Sequence, residues 1–344
     1  MINDIAKITV FLLLLLALFI ITVPSKNKAS NYFFAAFLIV TSFDFTAIFL
    51  ENVFINFPAL NATRVATVFL QMPLFYLYVK KTCYKDLKIS FKELLHGIPF
   101  LIFLGLFLTV GLSGHTDLIY EASTQTQYYS YIIAILYTLK QYRNTYLENY
   151  TSGNETYKWL KTTTLLFLIG NSLVLLRAVL DKEKLLILNT IIFSFALTII
   201  CWFVLKTMRT PHLFTGIHKD IKPLPQKETI EESEKYDDDI AILKRFMKEN
   251  KPYLDDSLTL QKLAKQINIP EKHLSFVINK VVGKHFYDYI NFHRIEEAKI
   301  LLKNKDLNIQ EIMYDIGFNS KSSFNAAFKK NTATTPSTYR KTAV

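Results

Sequence analysis

SLTLQKLAKQINIPEKHLSFVINKVVGKHF, residues 257–286, is the stretch whose reading decides the fold. Thr259 suits a helix N-cap, and Leu260, Leu263 and Ala264 then share one helical face. Asn268 falls where the chain must turn sharply, and asparagine accepts a positive φ better than most residues. Pro270 suits the first turn of a second helix. That helix carries Leu274, Val277, Ile278 and Val281 inward, leaving Lys272, Ser275, Phe276 and Asn279 on the opposite face.

A near-copy occurs about 50 residues later, LNIQEIMYDIGFNSKSSFNAAFKKNTATTPSTYRK, residues 307–341. Asn308 and Glu311 have capping-box spacing, and Gly317 supplies the turn. Phe324, Ala327 and Phe328 repeat the inward face, with Lys321, Ser322, Asn325, Ala326 and Lys329 outward. The second turn is one residue longer, which aligns Leu274 with Phe324 and Asn279 with Lys329. Between the copies, roughly His285–Lys303 reads as one helix about 28 Å long. Two such second helices held about one DNA turn (~34 Å) apart can enter successive major grooves.

LAKQINIPEKHLSFVINKVVGK, RIEEAKILL, IQEIMYDIGFNSKSSFNAAFKK and the closing TPSTYRK resemble the DNA-binding domain of the AraC/XylS family of transcription regulators. The resemblance covers residues 238–341, under a third of the chain. It departs from the family pattern at Asn268 and Ala333, where glycine is usual, and at Met313, where a small residue is usual. The resemblance implies that double-stranded DNA meets the outward faces of both second helices. Lys272, Lys280, Lys329 and Lys330 are then expected mainly to hold phosphates, Ser275, Asn279, Ser322 and Asn325 to read base edges, and Lys321 to be a further residue of the DNA-binding face. Phe276 and Ala326 would touch thymine methyls.

The rest of the chain is of another kind. Of 344 residues 51% are hydrophobic, with 28 Phe and 19 Tyr against 9 Gly, and the excess lies before residue 207. Seven apolar spans are expected: Ile5–Val23, Tyr32–Leu50, Val65–Val79, Gly97–Leu112, Tyr128–Leu139, Leu160–Leu180 and Leu185–Leu205. The first lacks a cleavage site and is followed by Lys26 and Lys28, so it reads as an anchor. With the N-terminus outside, Lys26, Lys28, Lys80, Lys81, Lys85, Lys88, Lys92, Lys140, Arg143 and Lys158 lie on inner loops. Arg64, Lys182 and Lys184 lie on outer ones, so positive charge is concentrated inside. The expected location is therefore a multi-pass protein of the inner (cytoplasmic) cell membrane with its C-terminal domain in the cytoplasm.

The predicted fold is all-α: a seven-transmembrane helix bundle (1–206), a Pro- and Glu-bearing linker (207–237) and a soluble double helix-turn-helix domain (238–344). Lys and Arg exceed Asp and Glu by 40 to 29, with the basic excess on both sides of that linker. Ionisable or amide groups inside apolar spans are costly and often mark sites. Asp44, Gln71, Asn171, Arg177 and Asn189 are therefore the candidates for a signal pocket, with Asp44 and Arg177 able to pair in its outer half. Snorkelling of Arg177 and amide bonding between helices are the competing explanation.

Cys83 and Cys201 stand in no Cys/His cluster, and no phosphate loop or nucleophile motif occurs, so no enzyme, metal or cofactor is indicated. The function expected is a one-component transcription regulator held in the membrane. Its partners would be DNA, lipid, an unidentified small-molecule or protein signal, and a second copy as a homodimer. A transporter or channel with a regulatory tail is the alternative, although inverted repeats and Gly/Pro-broken helix pairs are missing. A lipid-acting membrane enzyme would need carboxylate or His/Asp clusters that the sequence does not show.

Overall fold

The computed structural model describes residues 1–25, 28–84, 91–111, 114–151, 154–177, 182–210 and 236–342. Most of the expected linker (211–235) and the inner-loop lysines Lys26, Lys85 and Lys88 lie outside the described residues. The described chain is helical apart from one isolated antiparallel bridge, Tyr150 with Thr259. It divides into two compact units. The first is Met1–Gln141 with Glu155–Lys222, and the second is Pro223–Val344 together with Tyr142–Asn154.

The first unit contains α1 (Ile2–Thr22), α2 (Lys28–Phe45), α3 (Glu51–Asn56), α4 (Pro58–Cys83), α5 (Ile98–Thr109), most of α6 (Gly114–Asn149), α7 (Glu155–Leu176) and α8 (Lys182–Arg209). Among the described residues, five stretches are long and apolar enough to cross a membrane: Ile2–Thr22, Lys28–Ile48, Phe91–Thr109, Glu155–Leu176 and Leu185–Arg209. They leave large apolar side chains bare, including Phe11, Leu101 and Ile187, each more than 60% exposed.

The two remaining expected spans, Val65–Val79 and Tyr128–Leu139, lie within α4 and α6 and do not meet that test of length and apolarity. Their polar groups are spent on neighbouring helices. In α6, the Tyr120 hydroxyl donates to the Val65 carbonyl (3.3 Å), Gln127 to that of Phe69 (3.2 Å) and Tyr128 to that of Phe167 (2.7 Å). In α4, Ala66, Phe69, Phe75, Tyr78 and Val79 are buried.

After 236 the second unit continues with α9 (Tyr236–Asn250), whose Leu243 and Met247 are buried. The first helix pair is α10 (Leu260–Gln266) and α11 (Glu271–Phe276), the latter continuing as a π-helical turn over Val277–Val281. After α12 (Phe286–Leu301) come α13 (Ile309–Asp315), α14 (Lys321–Thr332) and α15 (Pro336–Thr342). Two cores result: Leu260, Leu263, Leu274, Ile278 and Ile290 anchor one, and Ile295, Ile312, Met313, Phe324 and Phe328 the other. Met313 is accommodated within the second core, only 2% exposed.

Along α12 and its C-cap, Ile290, Arg294, Ala298 and Leu302 form a four-residue-spaced stripe no more than 1% exposed. Arg294 sits where the two cores meet. Its Nε donates to the Tyr253 carbonyl (2.7 Å) and its Nη2 to that of Asp255 (2.9 Å), and its guanidinium lies 5.3 Å from the Phe318 ring centroid. Burial holds its pKa down to about 10, so it remains charged at neutral pH. One turn on, Glu297 accepts from Lys251 Nζ (2.8 Å) and the Tyr253 hydroxyl (3.1 Å). The turn Lys251–Asp255 is thus pinned twice to one helix. Gly317 lies against it with φ +85°, and a Cβ there would come within 2.7 Å of the Leu254 carbonyl oxygen.

Arg294→Met should remove about 3 kcal/mol from the second unit, because it leaves buried carbonyls without donors. Hydrogen exchange over residues 236–342 of the detergent-solubilised chain measures this, and unchanged protection of α12 would contradict it. Ala333, which ends α14 in the left-handed region (φ 59°), carries a steric cost that glycine lacks. Ala333→Gly is therefore expected to stabilise the same unit by about 1 kcal/mol, and a loss of protection would contradict that.

Candidate nucleic-acid interface

The second helix pair presents the simpler face. Asn308 caps α13, accepting from the Gln310 amide (2.9 Å) while Glu311 accepts from the Asn308 amide (3.3 Å). Ser320 caps α14, its Oγ accepting from the Ser323 amide (3.3 Å). Phe324, Ala327 and Phe328 fasten α14 to the core. Lys321, Ser322, Asn325, Ala326, Lys329 and Lys330 are all exposed. Lys330 reaches back to Asp288 on α12 at 2.6 Å, which reduces the positive charge it offers outward. Lys321 and Lys329, both exposed, lie two turns apart along one side of the helix.

The first pair departs from its near-copy. Thr259 caps α10 by accepting from the Lys262 amide (3.1 Å), and Asn268 takes the positive φ its position requires, 54°. Four residues (267–270) separate α10 from α11, against five (316–320) between α13 and α14. Pro270 is the N-cap itself, one position earlier than its expected place in the first turn.

The π-helical turn then changes the register. Leu274, Val277 and Ile278 are buried as expected, but Val281 is 45% exposed and Val282 packs on the core instead. A wider turn adds a residue per revolution and rotates the residues after it about the helix axis. Lys272 and Lys280 are exposed, and Ser275, Phe276 and Asn279 are half-buried. Phe276 does not stand free as expected, because it stacks on Tyr236 of α9 with ring centroids 5.2 Å apart. His273 pairs with Asp239 of the same helix α9 at 2.6 Å. Asn279 Nδ2 donates to Ser275 Oγ (3.2 Å), which joins two of the expected base readers.

The candidate signal residues fall into separate sets. Asp44 accepts from Arg64 Nη1 at 2.8 Å, and Gln71 is half-buried on α4. Arg64 donates twice to Asn61 and stacks over Phe54, 5.1 Å from the ring centroid. The expected pairing of Asp44 with Arg177 is replaced by this one, and Arg177 is exposed at the end of α7. Arg64 precedes the apolar run and so reads as a loop charge in the sequence, yet the helix starts earlier, at Pro58. Asn171 donates to Gln125 (2.9 Å) and to the Tyr129 hydroxyl (3.3 Å), and Asn189 is half-buried on α8.

Arg294 is the residue that sequence reasoning misses, though an arginine inside an otherwise apolar stripe of α12 is a readable signal. The segment Tyr142–Asn154 is missed as well, and nothing in its local pattern ties it to the C-terminal unit.

Comparison with known proteins bears on this unit alone. A helix-turn-helix domain family model matches residues 263–342. Over 93 residues the chain is 36% identical to an uncharacterized HTH-type transcriptional regulator of Escherichia coli (strain K12), YijO, covering 26% of this chain and 33% of that protein. It is 35% identical over 88 residues to an uncharacterized HTH-type transcriptional regulator of Staphylococcus aureus (strain COL), covering 26% of this chain and 12% of the relative. The chain therefore spans a third or less of the length of these curated relatives. Among solved structures it is similar to the C-terminal domain of AraT, a response regulator from Geobacillus stearothermophilus, with 31% identity over 29% of this chain and 84% of that one and a TM-score of 0.27. Residues 263–342 of this chain are thus similar to a helix-turn-helix domain.

Proposed function

We propose that the protein is a membrane-held transcription regulator that binds specific DNA through both helix pairs. The observation that carries this reading is the two-sided α14. One side is buried through Phe324, Ala327 and Phe328, and the other exposes Lys321, Ser322, Asn325, Ala326 and Lys329. In this reading Lys321 and Lys329 hold phosphates while Asn325 reads a base edge, with Ser322 and Ala326 beside it. Lys272 and Lys280 serve the same end on the first pair, and Ser275 and Asn279 act as one hydrogen-bonded reader.

In this reading the membrane domain spans the bilayer seven times, N-terminus outside, with α4 as its most buried member. A small-molecule or protein signal acts there by favouring one of two states. The Asp44–Arg64–Gln71 cluster is the candidate place, and a homodimer the candidate assembly.

DNA selected by the detergent-solubilised chain from a random-sequence pool tests the reading. Lys329→Ala should weaken binding about fivefold at about 0.15 M salt and lower the salt slope by about 0.9, whatever the sequence. Asn325→Ala should cost about 1–3 kcal/mol at one base position only. A pool that gains no motif after repeated selection would contradict sequence-specific binding.

A further inference from the structure

The first helix pair holds its reading helix in a register that its near-copy does not share. α14 runs unbroken from Lys321 to Thr332, and Lys329 on it is exposed. The aligned Asn279 lies inside the widened turn Val277–Val281 and is half-buried. The Val282 amide closes that turn by donating to the Val277 carbonyl, five residues back, at 3.0 Å.

The wide turn takes both ends of the Asn279 amide out of use. Its Nδ2 donates to Ser275 Oγ at 3.2 Å, and its Oδ1 is buried with no hydrogen-bond partner among the described residues. An asparagine reads adenine by accepting from the base's amino group while donating to its ring nitrogen. A buried acceptor left without a donor is also costly, so this register carries a penalty that an outward amide would not. Val281 adds to it, because an apolar side chain 45% exposed stands next to the exposed Lys280.

The residues on either side confine any change of register to this turn. Before it, Phe276 stacks on Tyr236 with ring centroids 5.2 Å apart and His273 pairs with Asp239 at 2.6 Å, so α11 is fastened to α9. After it, Gly283 lies in the left-handed region (φ +72°), with nothing within 4 Å of where a Cβ would stand. Glycine takes backbone conformations closed to other residues, and the open space lets the chain there absorb a shift of one residue.

We infer that Val277–Val281 is a register switch in the first helix pair. In the wide turn Asn279 is held inward. On DNA the segment tightens to an ordinary α-helical turn, which brings the Asn279 amide to the base edges, takes Val281 inward and moves Val282 off the core. This rests on reading Asn279 as a base contact. Single wide turns inside α-helices occur frequently at functional sites. DNA supplies the differential affinity that the shift requires, because only the tightened register offers it the amide.

The test uses the full chain in detergent with its selected DNA. Deleting Val281 removes the extra residue and leaves Val282 as the inward valine of a continuous α-helix. The deletion variant should bind about tenfold tighter, the factor lost when a competent state is populated about one time in ten. A second measurement needs no deletion. Val282→Cys in a Cys201→Ser background places a thiol against the core, Cys83 being buried. Its labelling by a maleimide should quicken about tenfold when the selected DNA is added, as the same shift in population requires. Covering by DNA cannot produce such a gain. A deletion variant that keeps the hydrogen-exchange protection of α12 yet binds no tighter would overturn the inference, as would labelling that stays the same or slows on DNA. If the deletion unfolds the unit, the labelling alone decides. DNA binding that is absent, or that Asn279→Ala leaves unchanged, would instead overturn the reading of Asn279 as a base contact.

Discussion

The C-terminal unit depends on one buried guanidinium. Two helix pairs with separate apolar cores need something rigid between them, and apolar contact alone leaves their relative angle soft. Arg294 supplies directional bonds at that boundary, to the carbonyls of Tyr253 and Asp255, with its flat face toward Phe318. Taking a charge out of water is expensive unless its hydrogen bonds are met. Here the chain carbonyls of a tight turn meet them, and Gly317 leaves room for that turn to approach. The outcome is a fixed arrangement of α11 and α14, which reading two stretches of one DNA duplex requires.

Much of that unit is legible from residues. The caps Thr259 and Asn308, the turns at Asn268 and Gly317 and the inward faces follow from spacing and side-chain chemistry. The π-helical turn after Phe276 is not legible. It arises from how Val282, rather than Val281, fits the core, and three-dimensional packing decides that. The stacking of Tyr236 on Phe276 and the pairing of Asp239 with His273 are equally hidden, since they join residues more than thirty positions apart.

The apolar half shows a different limit. Helices long and apolar enough to cross a membrane announce themselves by composition, as α1 and α8 do. In α6, Tyr120, Gln127 and Tyr128 instead bond neighbouring backbone, and its hydropathy falls below that test. Asp44 stands out in the sequence as a costly charge, but its partner Arg64 looks like a loop residue because only the apolar run, not the helix, is visible there. The second role of α6, as a piece of the C-terminal unit, is carried by Thr151 and Tyr150. Each is ordinary by residue type and meaningful only through Leu258 and Thr259, more than a hundred residues on.

The central claim is that this chain contacts defined DNA while it stays in the membrane. The direct measurement is chromosome-wide occupancy of the tagged full-length protein in its native cell, with its membrane fraction verified, beside the Asn279→Ala/Lys329→Ala double variant. The account predicts discrete peaks that share one asymmetric motif and disappear in the variant. Uniform background from both, with each present in the membrane, would contradict it.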